Sequence, residues 1–391
     1  MRIAFCHNFY QQPGGEDQVF RDECAMMEDH GHSILRVTKH NDEIKQMSKL
    51  SLVKKTFWNK QTYNELSQSF DEFRPDIVHF TNTFPLISPA AYKAARDAGA
   101  AVVQSLHNFR MICPGSVLYR KGSVCETCIK KTFAIPAIYR KCYRDSLFAS
   151  AVTAGMNAWH KVFGTWRKYV NRFIALTHFT KQKFVDGGFC ADRISVKQNF
   201  VSEIPNIRVE QKNNRALFVG RLSKEKGVDV VLQSWKQIDA EIPLDIVGDG
   251  PLEDEVKRAT VELPHITFHG RVPHDRVKEM MARAAVQIVP STSYETFGLV
   301  VIEAFAVGTP AIVSDHGSLA ELVESGQTGL KFAPGNPEDL AQQVKRIFDA
   351  PDLRAQMGQK AQDEFAAKYT RAKNYEILEE IYQQALEEAK S

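Results

Sequence analysis

What this 391-residue chain lacks narrows what it can be. No stretch approaches the roughly 18 uninterrupted apolar residues that a membrane-spanning helix needs. The opening residues, Met1-Arg2-Ile3-Ala4-Phe5-Cys6, have neither the basic start, the long apolar run nor the small-residue cleavage site of a secretory signal, and their composition is that of a strand. Seven cysteines, an odd number, argue for a reducing compartment and against a disulfide framework. No Gly-x-Gly-x-x-Gly follows the first strand, which argues against a nucleotide-dependent oxidoreductase. The expectation is a cytoplasmic protein that at most rests on the inner membrane surface.

Composition is otherwise that of a globular protein, 43% hydrophobic and 25% charged. Charge is unevenly distributed. Residues 1–205 carry 28 Lys and Arg against 18 Asp and Glu, whereas residues 206–391 carry 22 against 29. A first half that faces something anionic fits this asymmetry, as does a solvated surface with no partner.

Short β-rich runs alternate with amphipathic helical stretches along nearly the whole length, which predicts parallel sheets covered on both faces. Strands are expected near 2–6, 33–37, 77–81, 101–106, 173–177 and 194–197, with helices over 16–30, 88–98 and 156–172. The rhythm breaks at Pro205 and the polar run Glu210-Gln211-Lys212-Asn213-Asn214, then restarts with strands near 215–219, 243–247, 266–269, 286–290 and 310–314. The predicted fold class is α/β, with two doubly wound Rossmann-like domains at 1–205 and 206–370, a linker near 206 and a terminal helix over 371–391. A ligand is expected at the carboxyl ends of the strands, in a cleft between the domains.

Two segments carry chemistry. Val219-Gly220-Arg221-Leu222-Ser223-Lys224-Glu225-Lys226-Gly227 leaves a strand with cations at the point where phosphates usually bind, although it lacks the spacing of a P-loop. The second is Ser291-Thr292-Ser293-Tyr294-Glu295-Thr296-Phe297-Gly298-Leu299-Val300-Val301-Ile302-Glu303. A strand ends near Pro290, a polar loop follows and a helix is expected to start around Phe297, so its unpaired N–H groups offer an anion site. Gly298 permits close backbone approach, and Glu303, in an apolar stretch, suits the two hydroxyls of a ribose.

These segments resemble the retaining glycosyltransferases of the two-Rossmann-domain, GT-B type, often called family 4. The resemblance extends to Ile246-Val247-Gly248-Asp249-Gly250-Pro251, to Phe268-His269-Gly270-Arg271-Val272, to the glycine loop Pro13-Gly14-Gly15 and to Leu106-His107-Asn108. It implies that Arg221 and Lys226 hold a UDP- or GDP-sugar by its diphosphate and that Glu303 holds the ribose. Arg271 and Val272 would meet the base; Glu295, Thr296, Phe297, Gly298 and Leu299 would meet sugar and phosphate. It also implies His107 near the transferred sugar or acceptor, with Gly14 and Gly15 shaping the donor loop. The resemblance implies retention of anomeric configuration. No Asp-x-Asp pair is present to seat a catalytic metal, so no cofactor is expected beyond the sugar nucleotide.

Cys113, Cys125, Cys128 and Cys142 fall in one insertion, about 113–145, with Cys125-x2-Cys128 at metal-knuckle spacing. A structural zinc held by four thiolates is the leading expectation, and buried thiols are the alternative. Residues 44–60 hold five lysines and no acid beside Phe57 and Trp58, a candidate contact with an anionic membrane. A second stripe, Trp159, Val162, Phe163, Trp166, Val170 and Phe173, is expected to pack against the sheet. The acceptor expected from all this is a lipid-linked or polysaccharide molecule of envelope-polysaccharide synthesis. Two rival readings are a sugar-nucleotide-binding regulator and a nucleic-acid binder working through the basic cysteine cluster. The second leaves the acidic second half unexplained, so no nucleic acid is expected.

Overall fold

The computed structural model describes residues 1–11, 14–202, 212–238 and 241–390. Pro13 and the expected linker near 206 lie outside the described residues. The chain divides into two compact units: residues 1–118, 126–199 and 371–391, and residues 119–125 with 200–370.

The first unit is built on a six-stranded parallel sheet in the order β2-β1-β3-β4-β7-β8. Its strands are β1 (Arg2–Phe9), β2 (Ser33–His40), β3 (Ile77–Asn82), β4 (Ala101–Ser105), β7 (Arg172–Ala175) and β8 (Ile194–Val196); in the chain between β4 and β7 comes a small hairpin, β5 (Tyr119–Arg120) and β6 (Ser123–Val124), that belongs to the second unit. All six residues of β3 and all five of β4 are buried, as expected of central parallel strands covered on both faces. The covering helices are α1 (Gly15–Asp29), α2 (Lys49–Phe57), α3 (Lys60–Phe73), α4 (Ala90–Asp97), α5 (Ile135–Tyr139), α6 (Leu147–Val162), α7 (Thr165–Tyr169) and α8 (His178–Asp186).

The expected helix over 156–172 is in fact the end of α6 and all of α7, broken at Gly164, whose φ of +64° reverses the chain. That break also divides the apolar stripe. Trp166, Val170 and Phe173 are buried as expected, but Trp159, Val162 and Phe163 are 52%, 67% and 63% exposed.

The second unit repeats the plan with the order β11-β10-β9-β12-β13-β14, again all parallel. These are β9 (Ala216–Val219), β10 (Leu244–Val247), β11 (Ile266–Gly270), β12 (Val286–Val289), β13 (Ala311–Ser314) and β14 (Gly329–Phe332). Helices α9 (Val228–Trp235), α10 (Glu253–Glu262), α11 (His274–Arg283), α12 (Leu299–Ala306), α13 (Gly317–Leu322), α14 (Pro337–Phe348) and α15 (Pro351–Lys368) cover it. One core cluster joins Phe218, Ile246 and Ile288 of the sheet to Trp235 and Val344 of the helices.

The last helix, α16 (Arg371–Lys390), packs into the first unit through polar anchors as well as apolar ones. Tyr382 Oη lies 2.7 Å from His79 Nδ1. Asn374 Oδ1 accepts from Lys197 Nζ at 3.0 Å, and the same ammonium meets Glu23 at 2.7 Å with both charged side chains 1% exposed. A buried pair of this kind survives because its mutual attraction and hydrogen bonds offset the cost of desolvation.

Candidate functional site

In a doubly wound sheet, the chain leaves two neighbouring strands in opposite directions at the switch point, and the loops there splay apart to admit a ligand. In the second unit that point lies between β9 and β12. The loops after these two strands are the two segments singled out by sequence. They are tied together by backbone: Thr292 N and Ser293 N both donate to Glu225 O, at 3.0 and 3.3 Å, and Thr292 Oγ1 donates to Lys224 O at 2.8 Å. Gly227 makes this approach possible. Its φ is +71°, and a Cβ there would stand 2.0 Å from Pro290 O.

The ties place Lys226 Nζ 2.6 Å from Glu295 Oε1. Ser291 Oγ donates to the same oxygen, also at 2.6 Å. Burial pushes the Glu295 carboxyl up, but the Lys226 ammonium and the Ser291 hydroxyl outweigh it and hold it below the ordinary range. The carboxylate is therefore charged at neutral pH. His316, after β13, donates from Nε2 to Ser291 O at 2.8 Å, and burial lowers its pKa. Neutral His316 thus leaves Nδ1 as an acceptor.

Beyond Glu295, Thr296 accepts from Ser318 Oγ at 3.2 Å through its carbonyl, and Phe297 is buried against Tyr369. Gly298, with φ +128°, precedes α12, which starts at Leu299, two residues later than the sequence pattern predicts. Glu303 lies one turn into α12, with Oε1 3.8 Å from His274 Nε2. Val272 packs in one small cluster with Val219 and Val300, which brings the loop after β11 beside those after β9 and β12. Arg271 is exposed, 3.7 Å from Asp249, and Arg221 is exposed on the β9 loop. The second unit thus gathers Lys226, Glu295, Thr296 to Leu299, Glu303 and Val272 at the carboxyl edge of one sheet. Ser291, His316 and Tyr119, whose hydroxyl lies 3.2 Å from Thr292 Oγ1, belong to the same neighbourhood and were not among the expected residues. Only His316 carried a sequence signal, as a histidine directly after a strand.

The first unit has its own switch point, between β1 and β3. Gly14 N donates to Asp17 Oδ2 at 3.2 Å, and Asp17 Oδ1 meets His7 Nε2 at 2.7 Å, so the glycine loop is anchored to β1. A Cβ on Gly14 would meet nothing within 4 Å. Gly15 opens α1, and Glu16 follows it. Tyr10 Oη and Asn108 Nδ2 both donate to Glu16 Oε2, at 2.9 and 3.4 Å. Burial raises the Glu16 carboxyl to about 7 in spite of those bonds.

His107 follows β4 and lines a recess of about 520 Å³, counted out to open solvent, together with Thr81, Asn82, Gln104, Asn108 and Arg110. Burial lowers the His107 pKa to about 3, so the ring is neutral. The Arg110 guanidinium lies over the rings of Phe84 and Tyr143, 4.2 and 4.9 Å from their centroids.

The expected zinc site is not supported by the geometry. Among the described residues, no group of three or more His, Cys, Asp or Glu side chains is placed to hold a metal ion. Cys128 is buried in an apolar cluster with Ala134, Ala137 and Ala154, and Cys142 packs against it. Burial raises the Cys113 thiol. Cys128 and Cys142 thus contribute to the small core of an irregular insertion.

Residues 201–364 match the family described as Glycosyl transferases group 1. Over 173 residues, 44% of this chain, the sequence is 33% identical to an uncharacterised glycosyltransferase of Methanocaldococcus jannaschii, covering 48% of that protein. It is 28% identical over 174 residues to the alpha-D-kanosaminyltransferase of Streptomyces kanamyceticus, 43% of this chain and 45% of the other. The chain spans about half the length of the curated relatives it matches. Whole-chain likeness is one of fold: Anabaena HepE, solved in complex with UDP, superposes with a TM-score of 0.71 over 98% of this chain and 100% of that one, at 18% identity. Residues 201–364 are thus similar to a glycosyl transferases group 1 domain, on a chain with the GT-B fold.

Proposed function

We propose that this protein is a retaining glycosyltransferase that moves a hexose from a UDP- or GDP-sugar to a lipid-linked or saccharide acceptor of the cell envelope, without a catalytic metal. The observation that carries this reading is the Lys226–Glu295 pair at the switch point of the second unit, beside the glycine that opens α12. A diphosphate fits there because a fixed ammonium, exposed Arg221 and the unpaired N–H groups of α12 offer positive charge where a leaving group develops negative charge. Anabaena HepE, which binds UDP on the same fold, supports the uridine form of the donor.

In the proposed step the anomeric C–O bond to the diphosphate breaks and a new C–O bond to the acceptor hydroxyl forms on the same face of the sugar. The acceptor's proton passes to the departing phosphate oxygen. Lys226 and Arg221 stabilise the departing diphosphate, Glu295 binds sugar hydroxyls as an acceptor, and Glu303 binds the ribose. The cations supply the charge stabilisation that a divalent ion gives other transferases, consistent with a sequence without an Asp-x-Asp pair.

The test is nucleoside-diphosphate release from a panel of UDP- and GDP-sugars with EDTA present and Glu303→Ala as control. One donor is expected to turn over in EDTA and to lose turnover in the variant. A product of inverted anomeric configuration would overturn the retaining mechanism, and a failure to bind any donor would overturn the transferase reading.

A further inference from the structure

We infer that the face of the first unit formed by α6 and α2 docks on an anionic lipid bilayer. An α-helix advances 100° per residue, so Phe148, Val152, Gly155, Trp159 and Val162 lie in one stripe along α6, with Phe163 just beyond. The stripe is about 24 Å long at 1.5 Å per residue. The opposite face of α6, with Thr153, Ala154, Met156, Asn157 and His160, is buried in the unit. The fold therefore covers a mixed face of the helix and leaves its aromatic stripe outward. Phe148, Trp159, Val162 and Phe163 are 52% to 67% exposed.

The α2 helix extends this face sideways. Phe57 Cζ lies 3.3 Å from where a Cβ on Gly155 would stand, and His160 Nε2 donates to Phe57 O at 3.0 Å. Trp58 stacks on the His160 ring, 6.4 Å between centroids, while remaining 38% exposed itself. Leu50, two turns back on α2, is 66% exposed. The exposed apolar groups are thus carried by two helices that touch each other, through Phe57, Gly155 and His160.

Charge decides what covers it. Residues 44–60 contain five lysines and no acid; residues 127–171 contain eight Lys and Arg and a single acid, Asp145. A second copy of this chain would bring the same positive charge and be repelled. The occupant must be anionic and apolar together, over an area with the length of a helix. The headgroup-to-acyl boundary of a phospholipid bilayer meets both demands: Trp and Phe enter the boundary while the lysine stems let their ammonium groups reach phosphates. No described helix is long and apolar enough to cross a membrane, so the contact is one of surface seating.

The inference does not depend on the transfer reaction, and its test needs no substrate. The full chain is sedimented with vesicles of phosphatidylcholine alone and of phosphatidylcholine mixed with phosphatidylglycerol, at low and high salt. Binding is expected to the mixed vesicles only and to weaken with salt. Lys54→Glu with Lys55→Glu should weaken it by at least about fivefold per lysine. Trp159→Ser with Phe163→Ser should abolish it with an unchanged circular dichroism spectrum, since both side chains are exposed. Failure to bind anionic vesicles, or binding that neither double variant alters, would overturn the inference. So would an oligomer that the Trp159→Ser, Phe163→Ser variant converts to monomer, because a second copy would then cover the face.

Discussion

The two units share a sheet plan and differ in what they put at its switch point. In the second, the β9 and β12 loops bring a lysine against a carboxylate, with a second cation on the same loop and a helix N-terminus beside them. In the first, the loops after β3 and β4 line a recess with Thr81, Asn82, Gln104, neutral His107 and an arginine stacked on two rings. One gathers positive charge around a carboxylate; the other offers hydrogen bonds of both kinds and aromatic faces, and under the proposed function they would take the diphosphate and the sugar hydroxyls respectively. The family match falls on the second unit, residues 201–364, and the curated similarity reported above covers less than half of the chain. Under the proposed function this follows from chemistry: a diphosphate is the same in every donor, so a site for it would keep a recognisable sequence. A site for varied acceptors has no such constraint.

The largest way to break the comparison is to remove the ion pair that anchors the first unit. Lys197→Met leaves the Glu23 carboxylate buried and unpaired, and a loss of about 3–5 kcal/mol is expected in calorimetric unfolding. The second unit has no part in this pair, so donor binding in the remaining folded protein should persist. The pH dependence follows with its sign. Burial would raise the Glu23 carboxyl, but Lys197, His79 and His107 outweigh it and its folded pKa lies below the unfolded one. Its stabilisation is therefore present above the unfolded carboxylate pKa and disappears as pH falls through the folded value. Burial lowers His79 to about 4 and His107 to about 3, so these rings too favour the folded state less as pH falls below the ordinary histidine value. Wild type should lose melting temperature steadily from about pH 6.5 downward.

Next in size is the switch-point lysine of the second unit. Lys226→Ala should lower turnover by about 10²–10³-fold, the usual cost of one preorganised group at a developing charge. The melting temperature should change little by comparison, because Lys226 is partly exposed. Steady-state kinetics with the donor identified from the panel will measure this. Unchanged turnover would remove the main support for placing the diphosphate in that unit.

The carboxylate of the first unit's glycine loop gives a smaller effect of opposite sign to Glu23. Burial raises Glu16 to about 7, so its contribution to stability is full below the unfolded carboxylate pKa and is lost as pH rises through about 7. Glu16→Gln is expected to melt with wild type at pH 5 and above it at pH 8. A melting curve displaced equally at both pH values would mean that Glu16 titrates normally.

Much of the parallel frame could be read in advance because buried parallel strands have a recognisable composition. Ile77-Val78-His79-Phe80 and Val286-Gln287-Ile288-Val289 are strands as expected, while β14, short and broken by Lys331, was not anticipated. At the proposed donor site, Glu295 and Lys226 could be named because their loops carry a motif. Ser291 and Tyr119 could not, since a serine or tyrosine in a loop has no periodicity and reaches its partners only through the fold. The α6 stripe was expected to be core for a similar reason. A helical pattern shows that a face is apolar, and only tertiary structure shows whether anything covers it. Cys125-x2-Cys128 has the spacing of a metal knuckle, and Cys128 lies in the small apolar cluster of the insertion.

The smallest effect sharpens the comparison most, because it sets one glycine of each unit against the other. Gly227→Ala puts a Cβ 2.0 Å from Pro290 O at a φ of +71°, so the β9 and β12 loops must separate. A loss of about 1–3 kcal/mol is expected, together with weaker donor binding. Gly14 is extended, with φ at −136°, and its Cβ would meet nothing within 4 Å, so Gly14→Ala should change stability by no more than about 0.5 kcal/mol. The protein itself therefore gives no steric reason for a glycine at 14. If Gly14→Ala nevertheless raises the KM of either substrate while the melting temperature stays put, the space beside Gly14 is occupied by ligand. If neither KM moves, the glycine loop of the first unit shapes no substrate site, and the recess lined by His107 has to account for recognition in that unit alone.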